Sequence, residues 1–267
     1  MNDIIIIRGA GDIASGIAHR LHRCGFRIIL TEIEKPLVVR RFASFANAVF
    51  EGEAILEGIR AVKAYSIEDI QNIWCGADIP IICDSQCNII RDIKPLAVVD
   101  AILAKRNMGT RIGMAPITIG VGPGFEAGSD VDVVIETHRG HNLGKVIDNG
   151  FADADTGIPG NIMGYTYERL LKSPSDGIIR NVLEIGDFVK KGDIVAYVAE
   201  EPVITLIDGI VRGLIADGQE VQKGLKIGDV DPRGIKENCI TISDKSRSVA
   251  GGVLEAILYL KRLKFGA

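Results

Sequence analysis

Three small residues set close behind a run of isoleucines are the strongest chemical signal in the chain. Residues 4–16 read IIIIRGAGDIASG, so Gly9, Gly11 and Ala14 fall in the pattern G-x-G-x-x-G/A. Each position has a physical task when such a segment passes from a strand through a turn into a helix. Gly9 permits the tight turn, Gly11 lets a phosphate approach the backbone, and Ala14 keeps helix and strand close. The helix start then offers N–H groups and a partial positive charge to an anion. Asp12 is placed where its carboxylate can cap the helix or repel a pyrophosphate. Glu32 follows Gly9 by 23 residues, at the end of the next apolar strand, where an acid accepts from a ribose hydroxyl. The expected cofactor-binding set is therefore Gly9, Gly11, Asp12, Ala14 and Glu32, with NAD(P) as one fitting ligand. The competing reading is that the glycines serve packing alone.

A second group lies in Glu136-Thr137-His138-Arg139-Gly140-His141, behind an apolar strand. Sites in α/β proteins collect at the carboxyl ends of strands. Glu136, Arg139 and His141 are thus the candidate catalytic residues, with His141 as acid/base in an NAD(P)-dependent oxidoreductase. Ordinary loop polarity explains the same residues without chemistry. His19 and His22 share a helix face at i, i+3 but have no third ligand in view, and read as surface or packing residues. Cys83 and Cys87 form a single C-x3-C pair with Asp84 between, where zinc usually needs two pairs. No metal is expected, and a reactive thiol at Cys87 is weighed against a buried one.

The elements that must hold these groups follow from hydrophobic periodicity. Strands are expected at 3–8, 27–31, 59–64, 79–83 and 131–137. Helices are expected from Asp12 to Cys24, from Pro36 to Val49, from Ser66 to Trp74, and from Pro95 to Lys105. This alternation predicts a Rossmann-like parallel sheet with helices on both faces. The stretch 139–164 carries no assignable pattern. A strand at 240–243 and a long final helix capped by Ser243 or Asp244 close the chain. Gly251 and Gly252 inside that helix imply close approach of another backbone, since each costs about 1 kcal/mol relative to Ala.

Residues 176–198 and 208–230 align without gaps at an offset of 32, with nine identities in 23 positions. Each copy alternates short β runs with Gly turns. The pair resembles a biotinyl/lipoyl-type barrel-sandwich hybrid. The connector Ala199-Glu200-Glu201-Pro202 offers no Lys for a covalently carried cofactor, so the module reads as structural or partner-binding. The expected domains are 1–165, Rossmann-like and cofactor-binding, 166–235, the β module, and 236–267, a strand and helix packing back on the first.

Composition narrows the partners. Of 267 residues 47% are hydrophobic and 25% charged, a globular balance, and the net charge of −4 gives no broad attraction to nucleic acid or anionic membrane. No apolar run approaches the ~20 residues of a bilayer span. A strand begins almost at once, and Asp12 falls where a leader's apolar centre would lie. Five irregularly spaced cysteines suit a reducing cytoplasm. Self-association stays open.

The segments IIIIRGAGDIASGIAHRLHRCGF, TEIEKPLVVRR, DAILAKRN, VDVVIETHRGHNLG, TGIPG, KIGDVDPRG and ISDKSRSVAGGVLEAIL together resemble the YqeB family across nearly the whole chain. The first part also resembles XdhC-type maturation factors for xanthine dehydrogenase. That resemblance implies an accessory role in maturing a selenium-dependent molybdenum hydroxylase. The implied ligand is a molybdopterin-type cofactor, whose dinucleotide form shares the pyrophosphate. The implied partners are the hydroxylase apoenzyme or other maturation proteins. A non-catalytic scaffold with an empty turn is the remaining reading.

Overall fold

A computed structural model describes residues 3–266. The chain divides into two units. The larger holds the chain up to Glu34, Ser44–Thr156 and Ile242 onward; the smaller holds Lys35–Ala43 and Gly157–Thr241. The expected first boundary near 165 thus falls at 156, and the last helix belongs to the larger unit.

The larger unit centres on one nine-stranded sheet. Its strands are β1 (Ile4–Arg8), β2 (Arg27–Glu32), β3 (Glu53–Leu56), β4 (Ile59–Ala64), β5 (Ile79–Cys83), β6 (Ala97–Asp100), β7 (Ile117–Val121), β9 (Val133–Ile135) and β10 (Val146–Ile147). A separate short pair, β8 (Glu126–Ala127) and β11 (Gly150–Phe151), lies outside it. The order is β10-β9-β7-β6-β1-β2-β5-β4-β3. The middle strands are parallel, whereas β10 and β3 run antiparallel at the two edges. β1 is central and covered on both faces, which is why it is apolar without alternation. Its fully buried isoleucines each contribute roughly 1.5–3 kcal/mol by leaving water. On one face Ile6, Ile29 and Val98 pack with Ile70 and Trp74 of α3 (Ile67–Cys75). Ser66 caps α3 by accepting from the Asp69 amide. The other helices of this unit are α1 (Asp12–Arg23), α2 (Ala48–Glu51), α4 (Ile90–Ile93) and α6 (Asp244–Phe265).

α1 and α6 lie side by side in the same direction. A Cβ on Gly16 would come within 2.8 Å of the Ser246 Cβ, and one on Gly251 within 2.9 Å of Arg20 Nη1. Ser243 caps α6 on the Ser246 amide. The glycines inside α6 answer the expectation of close backbone approach, but unequally. A Cβ on Gly252 would stand 2.0 Å from the Gly144 carbonyl oxygen, whereas Gly251 meets only the end of a flexible arginine. An exposed helix glycine gains about 1 kcal/mol when changed to alanine. Gly252→Ala should instead lose roughly 1–3 kcal/mol by overpacking, and Gly251→Ala should be close to neutral. Urea denaturation of both variants checks this; equal effects at the two sites would refute it.

The smaller unit is a doubled structure. One four-stranded antiparallel sheet runs β12 (Leu170–Lys172), β19 (Lys226–Asp231), β17 (Gly209–Leu214), β14 (Phe188–Val189); the other runs β16 (Glu201–Ile204), β15 (Ile194–Val198), β13 (Gly177–Asn181), β18 (Glu220–Val221). The two copies of the repeat exchange strands: β13 pairs β18 and β17 pairs β14. Asp176 accepts from the Lys223 amide at 2.7 Å, and Asp208 from the Lys191 amide at 2.8 Å. Each repeated Asp therefore closes the turn of the opposite copy. A short helix, α5 (Glu237–Ile240), follows.

The fold expectation needs correcting. The large sheet is mixed rather than wholly parallel, and the small unit is two separate four-stranded antiparallel sheets, so a Rossmann-like sheet followed by a barrel-sandwich-hybrid module does not describe the chain. Three local misreadings have physical causes. Residues 36–49 form no continuous helix but a turn, two 3-10 turns and the start of α2: Val39 fills the space above Gly213, and Arg40 reaches the Asn238 and Thr241 carbonyls at 2.9 Å, contacts that break the helical run. Residues 95–105 contain β6 instead of a helix, with Val98 and Val99 fully buried in the sheet and Leu103 and Lys105 at positive φ. Residues 240–243 hold a helix end and a cap in place of a strand.

Candidate functional site

Because β1, β2, β5, β6, β7 and β9 are parallel, the residues after them share one edge of the sheet. The glycine turn leaves β1 there, Glu32 ends β2, Asp84 follows β5, Asp100 ends β6 and Glu136 follows β9. Gly9 has φ +92° and donates to the Thr31 carbonyl at 2.8 Å, so the turn is strapped to β2. A Cβ there would press on the Ala101 carbonyl at 3.0 Å. Gly11 differs. As the N-cap of α1 its backbone is ordinary (φ −64°, ψ −176°), no side chain caps the helix, and a Cβ would meet no protein atom within 4 Å. First-turn amides have no acceptor inside a helix. Ala14 is fully buried, as close packing of α1 requires.

Glu32 accepts from the Ala10 amide at 2.8 Å and from the Ile33 amide at 2.9 Å. Burial pushes its carboxyl above the usual carboxylate range, against those two hydrogen bonds. The acid is thus fixed against the turn, and the Ala10 amide is already engaged.

Beneath the turn lies a buried ion pair. Arg8 Nη1 approaches Asp100 Oδ2 at 3.2 Å and also donates to Thr110 Oγ1; Nη2 donates to the Ser85 and Met108 carbonyls at 3.3 Å. Thr110 Oγ1 donates to Asp100 at 2.6 Å. One guanidinium therefore ties together the loops after β5 and β6.

The second sequence group is dispersed. Glu136 is buried and accepts from the His138 amide at 2.6 Å and the Asp153 amide at 2.8 Å, shaping its loop. Arg139 forms a two-pronged pair with Asp244 at 2.6 and 2.8 Å. His141 is exposed. With β9 three strands from β1, this loop stands roughly 14 Å from the glycine turn at ~4.8 Å per strand.

Lys245 bridges that gap and was not legible in the sequence. It sits half-buried on the first turn of α6, with Asp12, Arg139, Asp155 and Glu136 in electrostatic range. Burial pulls its ammonium below the usual lysine value. Its charge offsets Asp12 at the mouth of α1. The only sequence sign was its place beside the Ser243 cap; that α6 would lie along α1 is a tertiary fact.

The buried thiols are inert in character. Burial pushes Cys87 up to about 11 and raises Cys83 and Cys239 as well, while Cys24 and Cys75 are exposed. A disulfide-exchange reagent at pH 8 should therefore titrate Cys24 and Cys75 rapidly, with Cys87 and Cys239 following only on unfolding. Rapid labelling of Cys87 in the folded protein would contradict this. Among the described residues no three His, Cys, Asp or Glu side chains gather into a metal site. No helix there is long and apolar enough to cross a membrane.

No family model matches the chain. It is 49% identical over 259 residues to the uncharacterized protein YqeB of Escherichia coli K12, an alignment covering 97% of the chain and 48% of that protein. The resemblance to the YqeB family is supported. The chain spans about half the length of this YqeB relative. Among solved structures it aligns with a succinylglutamate desuccinylase from Silicibacter at 11% identity and TM-score 0.25, covering 86% of this chain and 84% of that one. An aspartoacylase family protein from Mesorhizobium loti gives 15% and 0.27, over 86% and 85% of the chains. An ectoine utilization protein from Ruegeria pomeroyi gives 12% and 0.26, over the same shares. Likenesses this weak transfer neither fold nor activity. Neither the sequence relative nor a family model supports selenium or molybdenum handling. The maturation role implied by the resemblance is therefore not carried over to this chain.

Proposed function

We propose that the larger unit binds a pyrophosphate-bearing nucleotide of the NAD(P) class, its phosphates over Gly11 and a ribose at Glu32. The observation that carries this is Gly11. Its backbone conformation suits any residue and its missing Cβ faces open space, so neither strain nor packing accounts for a glycine there. Close approach of a ligand to the uncapped start of α1 does account for it. Glu32, held beside the turn by two amides, is positioned to accept from ribose hydroxyls. Its charge disfavours an added 2′-phosphate, so NAD should bind more tightly than NADP.

Calorimetric titration of the intact chain with NAD and NADP tests the reading. Saturable binding of NAD is expected, with stabilisation of about 2.7 kcal/mol at a hundredfold excess over Kd. Absence of binding to either nucleotide at millimolar concentration ends it. Lys245 supplies a second measurement. Its attraction for phosphate exists only while the ammonium is protonated, and its pKa is lowered. Affinity should therefore fall as pH rises through a range below the usual lysine value. Lys245→Met should bind about tenfold more weakly, consistent with loss of one charge-assisted contact, and lose that alkaline decline.

A further inference from the structure

Within the smaller unit the two copies of the repeat differ sharply at two positions near a shared arginine. In the first copy Arg180 of β13 stands opposite Tyr197 of β15 and lies over its ring, 4.8 Å from the centroid. At the offset of 32 the second copy keeps the arginine as Arg212 but replaces Tyr197 by Asp229, and Ala199 by Asp231. Both aspartates are buried. The first copy shows that these strands assemble without buried charge, and burying ions opposes folding unless they are well paired. The fold alone does not call for the second copy's charges.

Their pairing is incomplete. Arg169 reaches Asp229 at 2.9 and 3.1 Å and the Gly160 carbonyl at 2.8 Å, yet its Nε is buried without an acceptor among the described residues. Arg233 holds Asp231 at 2.9 and 2.6 Å. Arg212, between the two carboxylates, has only long contacts among the described residues: 3.7 Å to Asp229, 3.7 Å to Asp231 and 3.5 Å to the Asn238 carbonyl. Arg40, bound to the Asn238 and Thr241 carbonyls, adds a further cation in its range.

We propose that the arginines gathered on Asp229 and Asp231, with Arg212 at their centre, form a binding site for a phosphate group. A phosphate dianion offers several guanidinium forks more charge and more acceptor oxygens than a single carboxylate does. Arg233 lies partly exposed beside the buried pair and gives the ligand a way in. Burial, then the nearby Arg40, lowers the pKa of Arg212, a crowding that a bound anion relieves.

The site is independent of the nucleotide turn, and the test keeps them apart by using the full chain carrying Gly11→Val. Inorganic phosphate titrated into this variant should bind saturably and raise Tm by several degrees, with sodium chloride at matched ionic strength giving no such rise. Arg212→Gln should weaken binding about tenfold or more and remove the Tm shift, and Arg180→Gln, its counterpart in the first copy, should leave both unchanged. Should Arg212→Gln fail to fold, Arg233→Gln should also weaken binding. AMP binding more tightly than phosphate would assign a nucleotide-borne group, and equal binding free phosphate. No saturable phosphate binding, a shift matched by chloride, or equal losses in Arg212→Gln and Arg180→Gln would overturn the proposal.

Discussion

Arg8→Leu should destabilise the protein by about 3–5 kcal/mol, the usual result of removing one partner from a buried ion pair. Arg8 and Asp100 are both buried almost completely, and Asp100 would be left with Thr110 and the Ile102 amide as its remaining donors. A buried carboxylate left without its cation cannot recover its lost hydration. The Ser85 and Met108 carbonyls would lose their donor at the same time. The double variant Arg8→Leu/Asp100→Leu is the informative partner, because replacing a whole buried pair by apolar groups is often neutral or better. It should recover most of the loss in urea denaturation. If the single variant costs less than about 1 kcal/mol, or the double is worse than additive, the pair is not the tie between the loops after β5 and β6 that its geometry describes.

That pair also marks where sequence reasoning reaches its limit. The strand ending at Arg8, the turn at Gly9 and the helix from Asp12 are local, and hydrophobic period plus glycine chemistry suffices to read them. Glu32 was found because its distance from Gly9 is set by one strand–helix–strand unit. The repeat was visible because identical turns recur at a fixed offset, and the exchanged bonds of Asp176 and Asp208 explain why those residues recur. By contrast, Asp100 falls inside the helix expected from Pro95 to Lys105, since Ala97–Asp100 is too short for its own period to separate strand from helix. Its partner lies 92 residues away. The helix expected from Pro36 failed for a similar reason: Val39 and Arg40 answer to residues near 213 and 238, which no local pattern encodes. Lys245 belongs to the same class, since only the alignment of α6 along α1 brings it near Asp12.

The glycines of the turn illustrate how geometry separates two readings that sequence leaves merged. Gly9 is required by the protein itself, through positive φ and the Ala101 carbonyl beside it. Gly11 is not. Gly11→Val should therefore leave Tm nearly intact, losing at most the roughly 1 kcal/mol by which an apolar residue is a poorer N-cap. The same change should weaken NAD binding by about a hundredfold or more, since branched carbons at this position occupy the space through which a phosphate reaches the amides of α1. That loss corresponds to about 2.8 kcal/mol of binding energy. Gly9→Val is the contrasting case, in which stability falls because the backbone itself is strained. Circular dichroism melts and NAD titrations on both variants distinguish a ligand-driven glycine from a packing glycine. Should Gly11→Val bind NAD as the parent does, or melt as early as Gly9→Val, the open space before Gly11 is not where the phosphates rest.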